Sequence, residues 1–261
     1  MSQRKIGLRL DSLRGRPRQV MELAAELEME GIEINCSSGE LTPAGLDRQA
    51  RRDVVNFLED LELELASLTA DSGFRFEDES RIEEFVDKSQ QALDLALDLQ
   101  SPIITVAIGG LPEDQDSDRY ELISTVMNNL GDYAANRELA IALSAGMETP
   151  EALNEFLNEL DNDGLKVNYD PANMIVFGHD PAEAVTTLGE HIVCVRARDA
   201  RRYLDGSAEE LSLGEGDVPY DDVIDALDEI EYERFLLIAR APQEEQREVI
   251  ESARDFLRKY E

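Results

Sequence analysis

LKVNYDPANMIVFGHDPAEAVTTLGEHIVCVRARDA, residues 165–200, reads as strand, helix, strand. LKVNYD (165–170) and IVCVRA (192–197) are short, largely apolar runs of the kind that form parallel strands covered on both faces. Between them Asp180-Pro181 supplies an N-cap and a proline at the first helical position, opening a helix over 180–189. Two parallel strands joined through a helix form a βαβ unit.

Outward from this segment the same unit recurs. Further strands are predicted at KIGLRL (5–10), GIEIN (31–35), LELASL (63–68), PIITVAI (102–108), ELAIALS (138–144) and RFLLIA (234–239). Helices are predicted near 16–30, 43–60, 79–99, 118–136, 149–160, 219–230 and 244–260. In VMELAAELEMEG and FVDKSQQALDLALDL, apolar residues recur at i, i+3 and i+4. Thr149-Pro150 repeats the cap-and-proline start. Gly31 and Gly164 stand at helix-to-strand turns, where a left-handed residue is expected.

Eight strand–helix pairs in 261 residues, without a linker, predict an α/β protein: one (β/α)8 TIM-barrel domain spanning 1–261. A doubly wound sheet would carry a glycine-rich phosphate turn after its first strand. Here that turn is DSLRGRPRQ (11–19), and no P-loop, GxSxG or CxxC motif occurs elsewhere.

Composition narrows the partners. Lys and Arg number 25 against 58 Asp and Glu, a formal charge of −33. Such a field repels nucleic acid and anionic membrane surfaces, and the charges spread along helices as solvated faces. No apolar run approaches the roughly 20 residues of a membrane span, and MSQRKIGLRL lacks the core of a signal peptide, so a cytoplasmic protein is expected. Cys36 and Cys194 lie in apolar runs and read as buried reduced thiols.

Barrels of this type keep their chemistry at the C-terminal strand ends. Those ends offer Arg9, Asp11, Glu33, Asn35, Ser67, Ser144, Asn168, Asp170, Asn173, Arg196, Arg198, Asp199, Ala239 and Arg240. His179, in the loop after strand six, is a further candidate, whereas His191 starts strand seven at the opposite end. Alternation along a strand does not say which set faces inward.

Asp170-Pro171-Ala172-Asn173, then Gly178-His179-Asp180-Pro181-Ala182-Glu183-Ala184, then Arg198-Asp199, then Leu213-Gly214-Glu215-Gly216-Asp217 resemble the xylose isomerase-like TIM barrels, the sugar phosphate isomerase/epimerase superfamily. The resemblance runs over nearly the whole chain and includes MEGIEI (29–34) and LELELASL (61–68). It implies a barrel that holds one divalent metal between a Glu, an Asp, a His and a Glu ending strands five to eight. The metal and the two glutamates move a proton beside a carbonyl. Carried over, the strand-six ligand is Asp170, but the other three positions fall on Ser144, Arg196 and Ala239. A two-residue slip on strand five reaches Ala142, which is no better.

Guanidinium has no free lone pair and stays protonated, so Arg196 is no metal ligand. No bound metal or other cofactor is therefore expected, although the resemblance implies one. The endonuclease IV branch of the fold needs a cluster of His and acidic zinc ligands, and this chain has two histidines.

Asp170 is then a remnant ligand, a substrate contact, or a partner for Arg196. Arg196 and Arg198 either recognise a phosphate or carboxylate or pair internally with Asp170 and Asp199. Asn173 is a hydroxyl contact or turn chemistry. Glu33 is a pocket residue or an ion-pair partner. Three functions stay open. The first is a pseudoenzyme that binds a small polar or anionic molecule, such as a sugar or sugar phosphate. The second is an isomerase or epimerase using metal-free or oxygen-ligand chemistry. The third is an interaction protein with a closed pocket. The resemblance also implies a homodimer.

Overall fold

In the computed structural model, which describes residues 4–71, 73–76, 78–241 and 246–260, eight parallel strands close into a barrel. They are β1 (Lys5–Arg9), β2 (Gly31–Asn35), β3 (Glu64–Thr69), β4 (Ile103–Val106), β5 (Ala140–Ser144), β6 (Leu165–Tyr169), β7 (Ile192–Ala197) and β10 (Phe235–Ile238). β10 pairs with both β7 and β1, and that pairing closes the ring. The helices are α1 (Pro17–Glu26), α2 (Arg48–Asp60), α3 (Ile82–Asp98), α4 (Asp118–Ala135), α5 (Pro150–Leu160), α6 (Pro171–Phe177), α7 (Pro181–Leu188), α8 (Tyr220–Glu229) and α9 (Gln246–Leu257). Residues 244 and 245 of the last predicted helix lie outside the described residues.

The expected caps form. Thr149 accepts from the Ala152 N–H and Asp180 from the Glu183 N–H, while Pro150 and Pro181 occupy the first helical turn. Each helix turns its apolar stripe onto the strands, as α4 does with Ile123, Val126, Met127 and Leu130. Most of the buried apolar side chains form one core between strands and helices.

The turns into the strands correct the glycine expectation. Neither Gly31 nor Gly164 is left-handed. Gly31 opens β2 beneath the Phe235 ring, where a Cβ would lie 2.5 Å from a ring carbon. A Cβ on Gly164 would lie 2.0 Å from the Gly131 carbonyl oxygen. The left-handed positions are taken by Glu28, Glu62, Gln100, Glu138 and Glu231, with φ between 55° and 61°. In each case the next N–H reaches back five residues to close the helix, as Met29 N–H does to Ala24 O at 3.1 Å and Tyr232 N–H to Leu227 O at 3.0 Å.

Two elements go beyond the sequence reading. Helix α6 fills the start of the loop after β6. The stretch after β7 folds into an antiparallel hairpin, β8 (Asp199–Arg202) and β9 (Ala208–Leu211). The barrel also carries two register shifts. β2–β3 pairing jumps from Ile32–Leu65 to Glu33–Ser67, leaving Ala66 as an extra residue. β6–β7 pairing jumps from Val167–Ile192 to Asn168–Cys194, leaving Val193 as another. Such bulges re-aim the side chains beyond them. Beyond these lie Glu33, Ser67, Asn168 and Arg196, all turned into the barrel.

Candidate functional site at the barrel mouth

Arg196 is the hub of the upper barrel. Its Nη2 donates to Glu33 Oε1 at 3.2 Å, Thr69 Oγ1 at 3.0 Å and Thr105 Oγ1 at 3.2 Å. Ser67 donates to the other Glu33 oxygen at 2.8 Å, and Arg9 Nε stands 3.6 Å from Oε1. Glu33 is wholly buried, so two arginines and a hydroxyl replace the water a carboxylate requires. Burial works against the Arg196 charge, but Glu33, Cys194 and Asp170 together outweigh it and hold the guanidinium above its ordinary range. Its Nε has no hydrogen-bond partner among the described residues. On the next strand Asn168 donates to Ser144 Oγ at 3.3 Å, while its own Oδ1 is equally unpartnered.

The expected pairing of Arg196 with Asp170 does not occur. Asp170 belongs to Arg198, with Nη1 2.7 Å from Oδ2. The other Asp170 oxygen caps α6, accepting from the Ala172 and Asn173 N–H groups at 3.0 and 3.2 Å. The Arg198 fork is completed by Asn173 Oδ1 at 3.3 Å and by Glu210 Oε2 at 2.9 Å. Asp170, first among its neighbours, pushes the Arg198 pKa up.

Nor does Arg198 pair with Asp199. The Asp199 carboxylate accepts from four backbone N–H groups, of Ala200, Gly214, Gly216 and Val218, at 2.9 to 3.2 Å. It moulds the Leu213–Asp217 turn around itself. A Cβ on Gly216 would lie 2.1 Å from Asp199 Oδ1, and Gly214 sits at φ +83°. This is the physical reason for the two glycines.

A cleft of about 280 Å³ opens at this face. Arg9, Arg196, Arg198 and Arg240 line it, with Asp11 and Glu210 as its acids and Ala239 in its wall. Asp11 is held by Arg9, with Oδ2 2.7 Å from Nη2, and by Asn35 Nδ2 at 3.3 Å. Arg240 donates to Ser212 Oγ at 2.9 Å. Asn173 stands behind Arg198, its Nδ2 on the Ala145 carbonyl at 3.3 Å. His179 follows α6, with its backbone N–H on Met174 O at 2.8 Å, and does not line the cleft. Glu210, Thr69 and Thr105 escaped the sequence reading. Alternating residues around Asp205-Gly206 are a hairpin signal that would have found Glu210.

The residues present do not fit the metal that the resemblance implies. Ser144 and Ala239 offer no carboxylate, both Asp170 oxygens are engaged, and a guanidinium fills the histidine position. Among the described residues no group of three or more His, Cys, Asp or Glu could hold an ion.

A closed parallel barrel with its polar side chains gathered at the C-terminal mouth is the architecture of the TIM-barrel proteins. Residues 21–260 match the family described as "Xylose isomerase-like TIM barrel", and the chain belongs to that family. A xylose isomerase domain protein from Planctomyces limnophilus superposes with a TM-score of 0.87 at 23% identity, covering 99% of this chain and 97% of that one. A D-tagatose 3-epimerase-like protein superposes with a TM-score of 0.81 at 22% identity, over 98% and 96% of the two chains. An uncharacterized protein of Methanocaldococcus jannaschii is 24% identical over 233 residues, 84% of this chain and 67% of that protein. No helix among the described residues is long and apolar enough to cross a membrane.

Proposed function

We propose that this barrel binds a small, polar, anionic sugar-like molecule at its mouth, without the metal-assisted isomerase or epimerase chemistry associated with its family. One observation carries the reading. Arg196, at the position the resemblance gives to a histidine ligand, is tied to Glu33, Thr69 and Thr105 and keeps one N–H without an acceptor. A cation fixed there disfavours a metal and favours an acceptor group on a ligand. Cations outnumber acids on the cleft wall, although the chain as a whole carries −33.

Proton transfer beside a carbonyl needs a carboxylate free to accept. Glu33 and Asp170 are both bound by arginine, which counts against an active isomerase. The open cleft counts against a closed interaction protein.

Thermal unfolding of metal-stripped protein tests the reading. D-Gluconate or D-glucose 6-phosphate should raise the transition more than D-glucose does. Mn²⁺, Mg²⁺ and Zn²⁺ should act alike on the protein and on Asp170→Ala, through the acidic surface alone. A ligand at about 100 times its Kd would stabilise by about 2.7 kcal/mol. A metal shift lost in Asp170→Ala would restore the metalloenzyme reading. Equal response to charged and neutral sugars would remove the anionic one.

A further inference from the structure

The lower half of the barrel holds a second cavity that the mouth chemistry does not use. TIM barrels ordinarily pack their interior with layers of bulky aliphatic side chains. Here Phe235 and Leu237 lean over Gly31 and Gly7, where added Cβ atoms would lie 2.5 and 2.7 Å from them. Beside them opens a cavity of about 440 Å³, whose inner wall includes Ala66, Ile103, Val193, Cys194 and Leu237. That is within the range of small-molecule sites.

Two of these wall residues are the extra residues of the barrel's register shifts, Ala66 on β3 and Val193 on β7. They keep 8% and 9% exposure inside the barrel. The bulges that precede Ser67 on β3 and Arg196 on β7 thus also place their extra residues, Ala66 and Val193, in the wall of the space below.

The rim is charged with both signs. Lys5 and Glu64 neutralise each other at 2.5 Å. Arg234, Glu59 and Glu233 also line the cavity, and none has a side-chain ion pair or hydrogen bond among the described residues. Burial pushes the Cys194 thiol up to about 12, with Glu33 adding to the rise, while the Arg196 and Arg234 charges pull it down. The Arg234 field therefore reaches the cavity's inner wall.

We propose that this N-terminal cavity is a second binding site, taking a zwitterionic molecule with an apolar body, such as an aliphatic α-amino acid. Its carboxylate pairs with Arg234 and its ammonium faces Glu59 and Glu233. Its side chain fills the space beside Ala66, Val193 and Cys194. A purely anionic or purely cationic ligand leaves one sign of the rim unmatched.

Isothermal titration with L-leucine, 4-methylpentanoate and isopentylamine tests this. L-Leucine should bind, and each half-analogue should bind at least about tenfold more weakly, the effect of losing one charge-assisted contact. Arg234→Ala, at an exposed position, should weaken leucine by a similar factor and bring it level with isopentylamine. Ala66→Leu, which fills the cavity, should abolish binding. The proposal is overturned if leucine gives no binding in the millimolar range. It is also overturned if either half-analogue matches leucine, or if leucine binds both variants as it binds the unmodified chain.

Discussion

Arg196 Nη2 and Glu33 Oε1 lie 3.2 Å apart across the barrel interior, joining β7 to β2, and the Glu33 side chain is fully buried. Each is the other's principal counter-charge. Removing the acid strands a cation among hydroxyls. Glu33→Ala should therefore cost about 3–5 kcal/mol in urea unfolding. The double variant Glu33→Met with Arg196→Met should recover most of that loss. A loss below about 1 kcal/mol for Glu33→Ala would mean that the pair is not the central tie.

Restoring a histidine should not restore a metal site. In Arg196→His the strand-five and strand-eight positions are still Ser144 and Ala239. Titration calorimetry with Mn²⁺ should show no stoichiometric site. One tight Mn²⁺ per chain would show that the ligand positions had been assigned to the wrong residues.

Gly216 should tolerate no side chain. Its Cβ would meet Asp199 Oδ1, whose oxygens satisfy four backbone N–H groups. Gly216→Ala should destabilise by about 1–3 kcal/mol, the cost of disturbing buried hydrogen bonds. Asp199→Asn should do likewise, because an amide nitrogen presents donors to donors. Melting temperatures of both variants check this.

Glu148, in the loop after β5, carries the clearest pH signature. Burial raises its carboxyl to about 7, although backbone hydrogen bonds, including those at Gly146 and Leu111, pull it down. Between the ordinary carboxylate range and about 7 the folded chain keeps a proton that the unfolded chain has released. Stability should fall as pH rises through this window, and the full penalty applies above it. Glu148→Gln should be close to neutral at about pH 5 and stabilising by about 1–3 kcal/mol at about pH 8. Urea midpoints at the two pH values measure the difference.

Glu138 is left-handed and exposed, at φ 58°. Glycine adopts that geometry without strain, so Glu138→Gly should stabilise by about 0.5–1 kcal/mol despite the freer unfolded chain. Thermal unfolding at fixed salt checks the sign.

The barrel was legible because its signals are local. Eight apolar runs separated by helical periodicity leave one economical way to bury every strand, and Thr149-Pro150 and Asp180-Pro181 mark helix starts whatever surrounds them. The resemblance, not a local signal, carried the family's ligand positions onto Ser144, Arg196 and Ala239.

The partnerships were not legible. Arg196 meets Glu33 across 163 residues of sequence, and only after register shifts beside Ala66 and Val193 have set which side chains turn inward. Sequence alone left the arginines as ligand contacts or as internal partners of Asp170 and Asp199. The structure gives Asp170 to Arg198 and Asp199 to the backbone of the glycine turn. The left-handed glutamates escaped for a related reason: intrinsic preference favours glycine there, but the helix-closing hydrogen bonds and packing of the barrel impose the conformation on Glu28, Glu62, Glu138 and Glu231. Patterning along the chain thus determined the fold. Ring closure and two bulged residues, which exist only once the strands pair, decided which charges meet, which stay unpaired and where the barrel is hollow.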